Sequence, residues 1–345
     1  MAERESLSYR DAGVDRDTAA RAKRRIGELI AATHTRDVVG GPGGFGGLFR
    51  VPSGLQRPVL VSSADGVGTK LKVAMLAGRH DTVGVDLVNH CVNDILVEGA
   101  TPLFFLDYIG MGRLEAGTVE QIVAGLAAGC RANGCALVGG ETAELPDFYQ
   151  PGEYDLAGFI VGILEEDQRL GAHRVEPGDV LLGVAGSGFH TNGYSLLRRL
   201  FFERLGRSVE DEFPGSSHSI GEVLLRPHPS YLGALQPLIA SAHVHAMAHI
   251  TGGGVPENLA RVIPDGASAE VQQDAWEWPA EFRTVQDLGG VSDEEMLHTF
   301  NCGVGMILVV PEEHADAIAG TLAEQQLGGW RLGSIGRGAK RVAIR

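Results

Sequence analysis

Residues 58–70 are Pro58-Val59-Leu60-Val61-Ser62-Ser63-Ala64-Asp65-Gly66-Val67-Gly68-Thr69-Lys70, and this stretch decides the predicted fold. Its apolar start contains β-branched residues and predicts a buried strand. The strand leads into Asp65, two glycines, Thr69 and Lys70. The glycines allow a sharp turn that exposes backbone N–H groups to an anion. Asp65 is an oxygen ligand of the kind Mg²⁺ prefers, and Lys70 could neutralise phosphate charge. A polar β-turn is the simpler alternative, but similar loops recur downstream.

The composition is that of a globular chain. Its 345 residues are 44% hydrophobic and 21% charged, which suits two domains with separate cores. The formal net charge of -15 argues against binding nucleic acid or an anionic membrane, since both require clustered Lys and Arg. It does not oppose a nucleotide bound through a divalent metal, because the metal reverses the local charge.

The cysteines and the N-terminus indicate a cytoplasmic protein. Cys91, Cys130, Cys135 and Cys302 form no C-x-x-C pair and no zinc spacing, so we expect core thiols in a reducing compartment. The first five residues do not resemble the start of a secretory signal, and no apolar run approaches membrane-spanning length.

Residues 1–57 are predicted to form an arm, with a helix from Asp17 to about Thr33 and a glycine-rich loop, Gly40–Gly47. The loop satisfies the letters G-x-G-x-x-G. A dinucleotide-binding fingerprint, however, follows a strand and opens a helix, and here a helix precedes the loop. We therefore reject the dinucleotide interpretation. A phosphate-covering loop and a plain linker both remain open.

The segment from Asp81 to Glu98 is predicted to be an amphipathic helix. Its apolar stripe of Val88, Cys91, Val92, Ile95 and Leu96 should face the core. Its other face carries Asp86, Asn89, His90, Asn93 and Asp94, with no Lys or Arg in the segment. Such a face is either solvated or a set of oxygen ligands for Mg²⁺. Further strands at Leu103–Leu106, Ala136–Val138 and Leu156–Ile163, with a helix from Thr118 to about Asn133, predict an α/β or α+β layer.

The second half repeats the pattern of strand, glycine loop and helix. Strand Val180–Val184 leads into the loop Gly186–Tyr194 and then a helix start, which is a geometry suited to anion binding. His190 within that loop is either structural or a general base. Thr251–Gly254 precedes Pro256 at a second such helix entrance. His243, His245 and His249 are interpreted as strand and loop residues, since no acidic partner is evident locally.

Taken together, these loops resemble the aminoimidazole ribonucleotide synthetase family, also called phosphoribosylformylglycinamidine cyclo-ligases. The resemblance covers nearly the whole chain. Its pieces are Ser8–Val14, Gly40–Gly47, Asp65–Lys70, Asp86–Leu87 with Cys91–Asp94, Pro102–Tyr108, Leu137–Glu144, His190–Ser195, Ile250–Gly254 and Thr299–Met306.

The resemblance implies an α/β (α+β) two-domain fold. Residues 1–57 would be the arm and glycine-rich loop. Residues 58–170 would be an ATP-binding and dimerisation domain, whose mostly four-stranded sheet forms a barrel shared between two subunits of a homodimer. Residues 171–345 would be a substrate-binding α/β sandwich.

The implied reaction is the ATP-dependent closure of formylglycinamidine ribonucleotide to aminoimidazole ribonucleotide, through an iminophosphate. The implied metal ligands, for Mg²⁺, are Asp65, Asp94 and Glu141. The implied ATP-binding residues are Gly43, Gly44, Phe45, Gly46, Gly66, Gly68, Thr69, Lys70, Asn93, Gly139 and Gly140. The implied substrate-binding residues are Ser187, Gly188, His190, Thr191, Asn192, Gly252 and Gly253. The implied catalytic residues are His190, Lys70 and Asp65.

One departure and several alternatives accompany the resemblance. The family's first helix often carries a lysine where Gly27 stands here, with Lys23 or Arg24 as possible substitutes. Selenophosphate synthetase, thiamine monophosphate kinase and a hydrogenase-maturation protein share the architecture. The first of these usually has a reactive residue near its N-terminus, whereas Cys91 is the first cysteine here. A catalytically silent nucleotide-binding subunit is the alternative from another class.

Overall fold

A computed structural model describes residues 16–41 and 43–345 of the chain. The Ser8–Val14 motif lies outside these residues, as does the side chain of Lys23. The N-terminal elements are α1 (Arg16–Ala31), β1 (Val38–Val39) and β2 (Leu48–Phe49). The two short strands pair antiparallel, so the Gly40–Gly47 loop connects them.

The first half builds a four-stranded sheet, as predicted. Its strands are β3 (Pro58–Gly66), β4 (Thr101–Met111), β5 (Ala136–Glu144) and β6 (Tyr154–Glu165), and its helices are α2 (Lys70–Ala77), α3 (Asp81–Leu96) and α4 (Ala116–Ala132). The strand order is β3-β6-β4-β5, with β4 and β5 parallel and the other neighbours antiparallel. Strands β3 and β5 are therefore the two edges.

Helices α3 and α4 pack together on one face of this sheet. The predicted apolar stripe of α3 is buried. Gly84 on α3 lies against Gly125 on α4, and a Cβ at either position would overlap backbone of the other helix. The two helices therefore cross at close range, and neither glycine can carry a side chain without separating them.

The opposite face of the sheet is open. Leu60 is 62% exposed and Phe159 is 46% exposed, on neighbouring strands β3 and β6. Leu106 and Tyr108 lie half-buried on β4. Large apolar side chains on a sheet face are a property of surfaces that become covered by another element or another chain.

The second half forms a six-stranded sheet with helices. Its strands are β7 (Val180–Ala185), β8 (Ala246–His249), β9 (Ala267–Val271), β10 (Val304–Val310), β11 (Gly328–Arg337) and β12 (Arg341–Ile344). Its helices are α5 (Tyr194–Arg198), continued as a π-helix over Arg199–Arg204, α6 (Ile220–Leu224), α7 (Leu232–Ala240), α8 (Gly254–Ala260), α9 (Ala280–Gly289), α10 (Asp293–Thr299) and α11 (Glu312–Glu324).

The six strands follow the order β12-β9-β11-β7-β10-β8, antiparallel except for the parallel pair β12 and β9. The interior strand β10 is buried along its whole length, as expected for a strand covered on both faces. The two-domain α/β prediction is confirmed. Within the described part of the chain, none of the helices combines the length and the apolar character needed to cross a bilayer.

Candidate active site

Asp65 lies on strand β3 itself and not in the loop that follows it. The strand continues to Gly66 because its ladder with β6 runs without interruption from Pro58 to that residue. Alternation along the strand turns Ser63 and Asp65 toward α3. The Asp65 carboxylate accepts the Gly66 N–H at 2.6 Å and lies 2.7 Å from His90 Nε2. The strand therefore places the Asp65 carboxylate against helix α3, and its two contacts fix the orientation of the carboxylate.

Lys70 is an internal cross-link, contrary to the prediction that it meets phosphate. It is the first residue of α2 and its side chain is fully buried. Its ammonium donates to Asp86 Oδ1 at 2.9 Å and to the backbone oxygens of His190, at 2.9 Å, and Arg226, at 2.8 Å. An ammonium has three protons, and all three are used here. Lys70 therefore joins the two halves of the chain.

The polar face of α3 is mainly a contact surface for the second half. Asp86 accepts the His228 N–H at 2.7 Å, and Asn89 donates to His228 O at 2.7 Å. Asn93 donates to Pro229 O at 2.9 Å and accepts the Tyr231 N–H at 3.0 Å. Asn93 is fully buried in this role, which corrects its assignment to ATP. Of the remaining residues of this face, His90 lines a cavity with Asp65, and Asp94 lines a second cavity with His249.

Four histidines meet beside Asp65 and Asp94: His90, His190, His228 and His249. His249 Nδ1 lies 2.8 Å from Asp94 Oδ1, and its Nε2 lies 3.1 Å from His228 Nε2. The rings of His190 and His228 stack with centroids 4.1 Å apart. His90 Nδ1 lies 3.0 Å from Thr191 Oγ1, and Ser63 donates to Asp94 at 2.9 Å.

The charges of this cluster follow from burial and from the two carboxylates. Burial opposes a charge on His90, but its hydrogen bond to Asp65 and the charges of Asp94 and Asp65 raise its pKa above the ordinary value. Burial and the nearby cations hold the pKa of His190 well below its ordinary value, so this ring is neutral near pH 7.

The unprotonated ring nitrogen of His190, which a general base would need free, already accepts a hydrogen bond. Its Nε2 accepts the Ser187 N–H at 3.1 Å, so the proton of the neutral ring is on Nδ1. That atom is buried and has no hydrogen-bond partner among the residues that the structure describes. As placed, the side chain is a donor and not a base.

A cavity of about 390 Å³ joins the two halves of the chain at these residues. Its lining is Asp65, Gly66, Val67, Gly68, His90, Thr191, Asn192, Thr251 and Gly252. A neighbouring cavity of about 480 Å³ adds Thr69 and Ser195. The structure thus brings the first predicted phosphate loop together with the predicted substrate residues Thr191, Asn192 and Gly252, although the first loop and Gly252 lie far apart in the sequence.

Three other predicted substrate residues lie beside the cleft. Ser187 donates to Pro227 O at 2.9 Å, and Gly188 adopts a positive φ of 122° next to Arg226. Gly253 is the left-handed residue that caps the N-terminus of α8, with φ of 88°. These residues shape the loops, whereas Thr191 and Asn192 present side chains to the cavity.

Within one chain Glu141 lies apart from Asp65 and Asp94, so the predicted metal site of these three residues would need a second subunit. Asp65, Gly158, Asp107 and Gly140 are paired across the sheet in successive strands, and Glu141 follows Gly140. Paired residues point to the same face and successive residues to opposite faces, so Glu141 projects to the open face. Three strand spacings of about 4.8 Å also separate the two positions.

The remaining predicted nucleotide residues lie near Glu141. Gly139 and Gly140 belong to the same edge strand, β5. Gly47, at the end of the Gly40–Gly47 loop, is packed against Val138 of that strand. Phe45 in this loop is fully exposed. The predicted nucleotide residues therefore form two groups at opposite edges of one sheet.

No local pattern marks His228. His249 ends strand β8, as its interpretation as a strand residue requires, but it does have an acidic partner. The acidic partner of His249 is Asp94, which is 155 residues earlier in the chain. No local pattern could reveal it. His245 likewise has a distant partner in Asp179, at 2.8 Å.

Comparisons with known proteins agree with this architecture. The AIR synthase related protein N-terminal domain matches residues 49–164, and the corresponding C-terminal domain matches residues 176–344. Phosphoribosylformylglycinamidine cyclo-ligase of Xanthomonas oryzae pv. oryzae (strain PXO99A) is 48% identical over 342 residues, which are 98% of this chain and 100% of that protein.

Two solved structures share the fold. Thiamine-monophosphate kinase from Stenotrophomonas maltophilia K279a has a TM-score of 0.66 and 19% identity, and the match covers 94% of each chain. The hydrogenase maturation protein HypE in complex with ATP has a TM-score of 0.61 and 19% identity, with 93% of this chain and 88% of that chain covered. Near-half identity along almost the full length decides among these relatives: the chain belongs to the phosphoribosylformylglycinamidine cyclo-ligase family of enzymes.

Proposed function

We propose that this chain closes the imidazole ring of formylglycinamidine ribonucleotide at the expense of ATP, yielding aminoimidazole ribonucleotide, ADP and phosphate. The observation that carries the proposal is that two carboxylates, Asp65 from β3 and Asp94 from α3, lie within 4.0 Å of His90 Nε2. Asp65 lines the cavity that the Thr191–Asn192 loop completes, and Asp94 lines a second cavity that shares Thr251 with it. Family membership supplies the substrate class, and the ATP-bound HypE structure shares the fold.

The chemistry explains why ATP is needed. A formamide oxygen is a poor leaving group. Transfer of the γ-phosphoryl group of ATP to this oxygen releases ADP and forms an iminophosphate. The amidine nitrogen then attacks the former formyl carbon, the ring closes, and phosphate leaves with that oxygen. Phosphoryl transfer of this kind depends on positioning and charge neutralisation more than on covalent help from the protein.

Asp65 and Asp94 fit the role of ligands for the magnesium ion of Mg-ATP. Their Oδ2 atoms lie 2.7 Å and 4.0 Å from the same nitrogen, His90 Nε2, so both already face one cationic position. Ser63 fixes the second carboxylate and the Gly66 N–H fixes the first. A magnesium ion held there would neutralise phosphate charge. The backbone N–H groups of Gly68 and Thr69, ahead of α2, could bind phosphate oxygens.

The neutral His190 suits a hydrogen-bond donor to the formyl oxygen better than a base. Its Nδ1–H has no partner among the described residues, and the loop that carries it also carries Thr191 and Asn192 of the cavity. Lys70 holds the backbone of His190 in place through its 2.9 Å bond, so we assign it a positioning role.

We further propose that the enzyme is a homodimer whose sites combine both chains. The open apolar face of the first sheet would be covered by the same face of a partner, giving a shared barrel. Such an arrangement could bring Glu141, Gly139, Gly140 and the Gly43–Gly46 loop of one subunit to Asp65 and Asp94 of the other. The two groups of predicted nucleotide residues, which lie at opposite edges of the sheet in one chain, would then lie in the same site.

Substrate selectivity tests the proposal against the kinase that shares the fold. Purified protein with Mg-ATP is expected to release ADP when formylglycinamidine ribonucleotide is added and not when thiamine monophosphate is added. Equal release with both compounds, or release with neither, would contradict the assignment.

A further inference from the structure

The ring of His249 lies between the Asp94 carboxylate and His228 Nε2. Asn93 determines whether that nitrogen of His228 donates or accepts. Its Oδ1 accepts the Tyr231 N–H at 3.0 Å, and its Nδ2 donates to Pro229 O at 2.9 Å, so the amide cannot be flipped. The same Nδ2 lies 3.2 Å from His228 Nε2. Because Nδ2 only donates, His228 Nε2 is an acceptor and its ring carries the proton on Nδ1.

The acceptor on His228 determines the tautomer of His249. His249 Nε2 lies 3.1 Å from His228 Nε2 and must donate to it. A neutral His249 therefore has no proton on Nδ1, yet this nitrogen lies 2.8 Å from Asp94 Oδ1. A nitrogen lone pair and a carboxylate oxygen are both acceptors and repel each other at this distance. The contact is favourable only with a cation between the two atoms, and that cation is either a second proton on the imidazole or a bound metal ion.

His90 supplies another ligand atom at the same place. One ligand atom of each of His90, Asp94 and His249 lies within 4.8 Å of the other two. His90 Nε2 is also 2.7 Å from Asp65 Oδ2, and its Nδ1 can donate to Thr191 Oγ1, 3.0 Å away. Both imidazoles thus have an outer partner that can accept the proton of the nitrogen facing away from the metal. This partner is His228 Nε2 for His249 and the Thr191 hydroxyl, which can also donate, for His90.

We propose that His90, Asp94 and His249 form a site for a divalent transition metal of the Zn²⁺ class, with Asp65 as an additional oxygen ligand. Two imidazole nitrogens and one or two carboxylates suit Zn²⁺ and Co²⁺, whereas Mg²⁺ is bound by oxygen ligands. Side-chain shifts of roughly an ångström would bring these atoms to the bond lengths of about 2.0–2.2 Å that zinc requires.

The site shares Asp94 with the magnesium position proposed above. The two metals would therefore exclude each other, and Zn²⁺ would inhibit turnover in competition with Mg²⁺. This consequence alone depends on the proposed function, since binding of the transition metal involves neither ATP nor the ribonucleotide.

Co²⁺ titration of the full-length, chelator-treated protein without nucleotide tests the site. We expect an intense visible absorption band, typical of low-coordinate Co²⁺, that saturates at one equivalent per chain and disappears when Zn²⁺ is added. His90→Gln and His249→Gln should each abolish the band. His228→Leu removes the acceptor for the Nε2 proton and should weaken Co²⁺ binding about 10–100-fold. His245→Gln is the matched control and should leave the band unchanged, because His245 also faces a carboxylate at 2.8 Å but is absent from the cluster.

X-ray absorption of the wild-type Zn²⁺ complex keeps the test independent of whether the variants fold. Two imidazole ligands are expected. No band at one equivalent of Co²⁺, a band that survives His90→Gln, or a zinc environment without imidazole would each overturn the proposal. Failure of the cyclo-ligase assay would leave these spectra unaffected, so the two proposals fail separately.

Discussion

Lys70 Nζ and Asp86 Oδ2 lie 2.8 Å apart, with both side chains fully buried where the two halves of the chain meet. The ammonium also holds the backbone oxygens of His190 and Arg226, so one side chain links α2, α3 and two loops of the second half. Removal of one member of a buried ion pair leaves the other charge without compensation.

Lys70→Met should therefore lower the free energy of unfolding by about 3–5 kcal/mol. Lys72→Met is the matched control on the same helix, because Lys72 pairs with Glu153 in a partly exposed position. Its loss should cost about 1 kcal/mol or less. Urea denaturation of the two variants measures both values, and equal losses would show that the buried pair has no special role.

Asp94→Asn tests the proposed role of Asp94 as a magnesium ligand. Loss of the carboxylate charge should reduce Mg-ATP-dependent turnover by about a hundredfold or more while the fold persists. Asp81→Asn, in the exposed first turn of the same helix, is the control and should keep wild-type turnover. Steady-state ADP release and circular dichroism give the comparison. Undiminished turnover in Asp94→Asn would remove this residue from the metal site.

Mixing of inactive variants tests whether two subunits share a site. We expect Asp94→Asn and Glu141→Gln to be inactive alone. In a mixed dimer, one of the two sites would receive Asp94 and Glu141 intact, so random exchange of subunits should restore roughly a quarter of wild-type activity. Continued inactivity after verified subunit exchange would mean that the two residues do not act across a subunit boundary.

The buried histidines make stability depend on pH. Burial, together with the neighbouring histidines and Lys70, lowers the pKa of His228 well below its ordinary value of 6.5. As the pH falls below that value, the unfolded chain binds a proton at this residue that the folded chain does not, so stability decreases toward acid. His228→Leu should flatten this decrease by up to about 1.4 kcal/mol per pH unit. The measurement is the free energy of unfolding of the wild type and of His228→Leu between pH 5 and pH 7. Parallel curves for the two would contradict the prediction.

The glycine loops were the part of the site that local sequence could reveal. Asp65 with Gly66 and Gly68, and Thr191 with Asn192, carry their own signals of turn geometry and ligand chemistry, and one cavity receives them all. The helical spacing of the apolar residues likewise predicted which face of α3 packs into the core.

Long-range partners explain what could not be predicted. The acceptors of Lys70 lie 16, 120 and 156 residues away, so a buried cross-link looked like a free phosphate ligand. Glu141 lies in a glycine-rich acidic stretch after a predicted strand, much as Asp65 does, but its orientation depends on the pairing of β5 with β4, where it lies opposite Tyr108. His249 and Asp94 meet only because β8 and α3 are brought together in the folded chain.

The stoichiometry of the reaction tests most directly the central claim, that this chain uses ATP to drive ring closure. ADP and aminoimidazole ribonucleotide are measured together as formylglycinamidine ribonucleotide is consumed. We predict one ADP for each aminoimidazole ribonucleotide formed, and no ADP without the ribonucleotide. Ring closure without ADP, or steady ADP release without ring closure, would contradict the account.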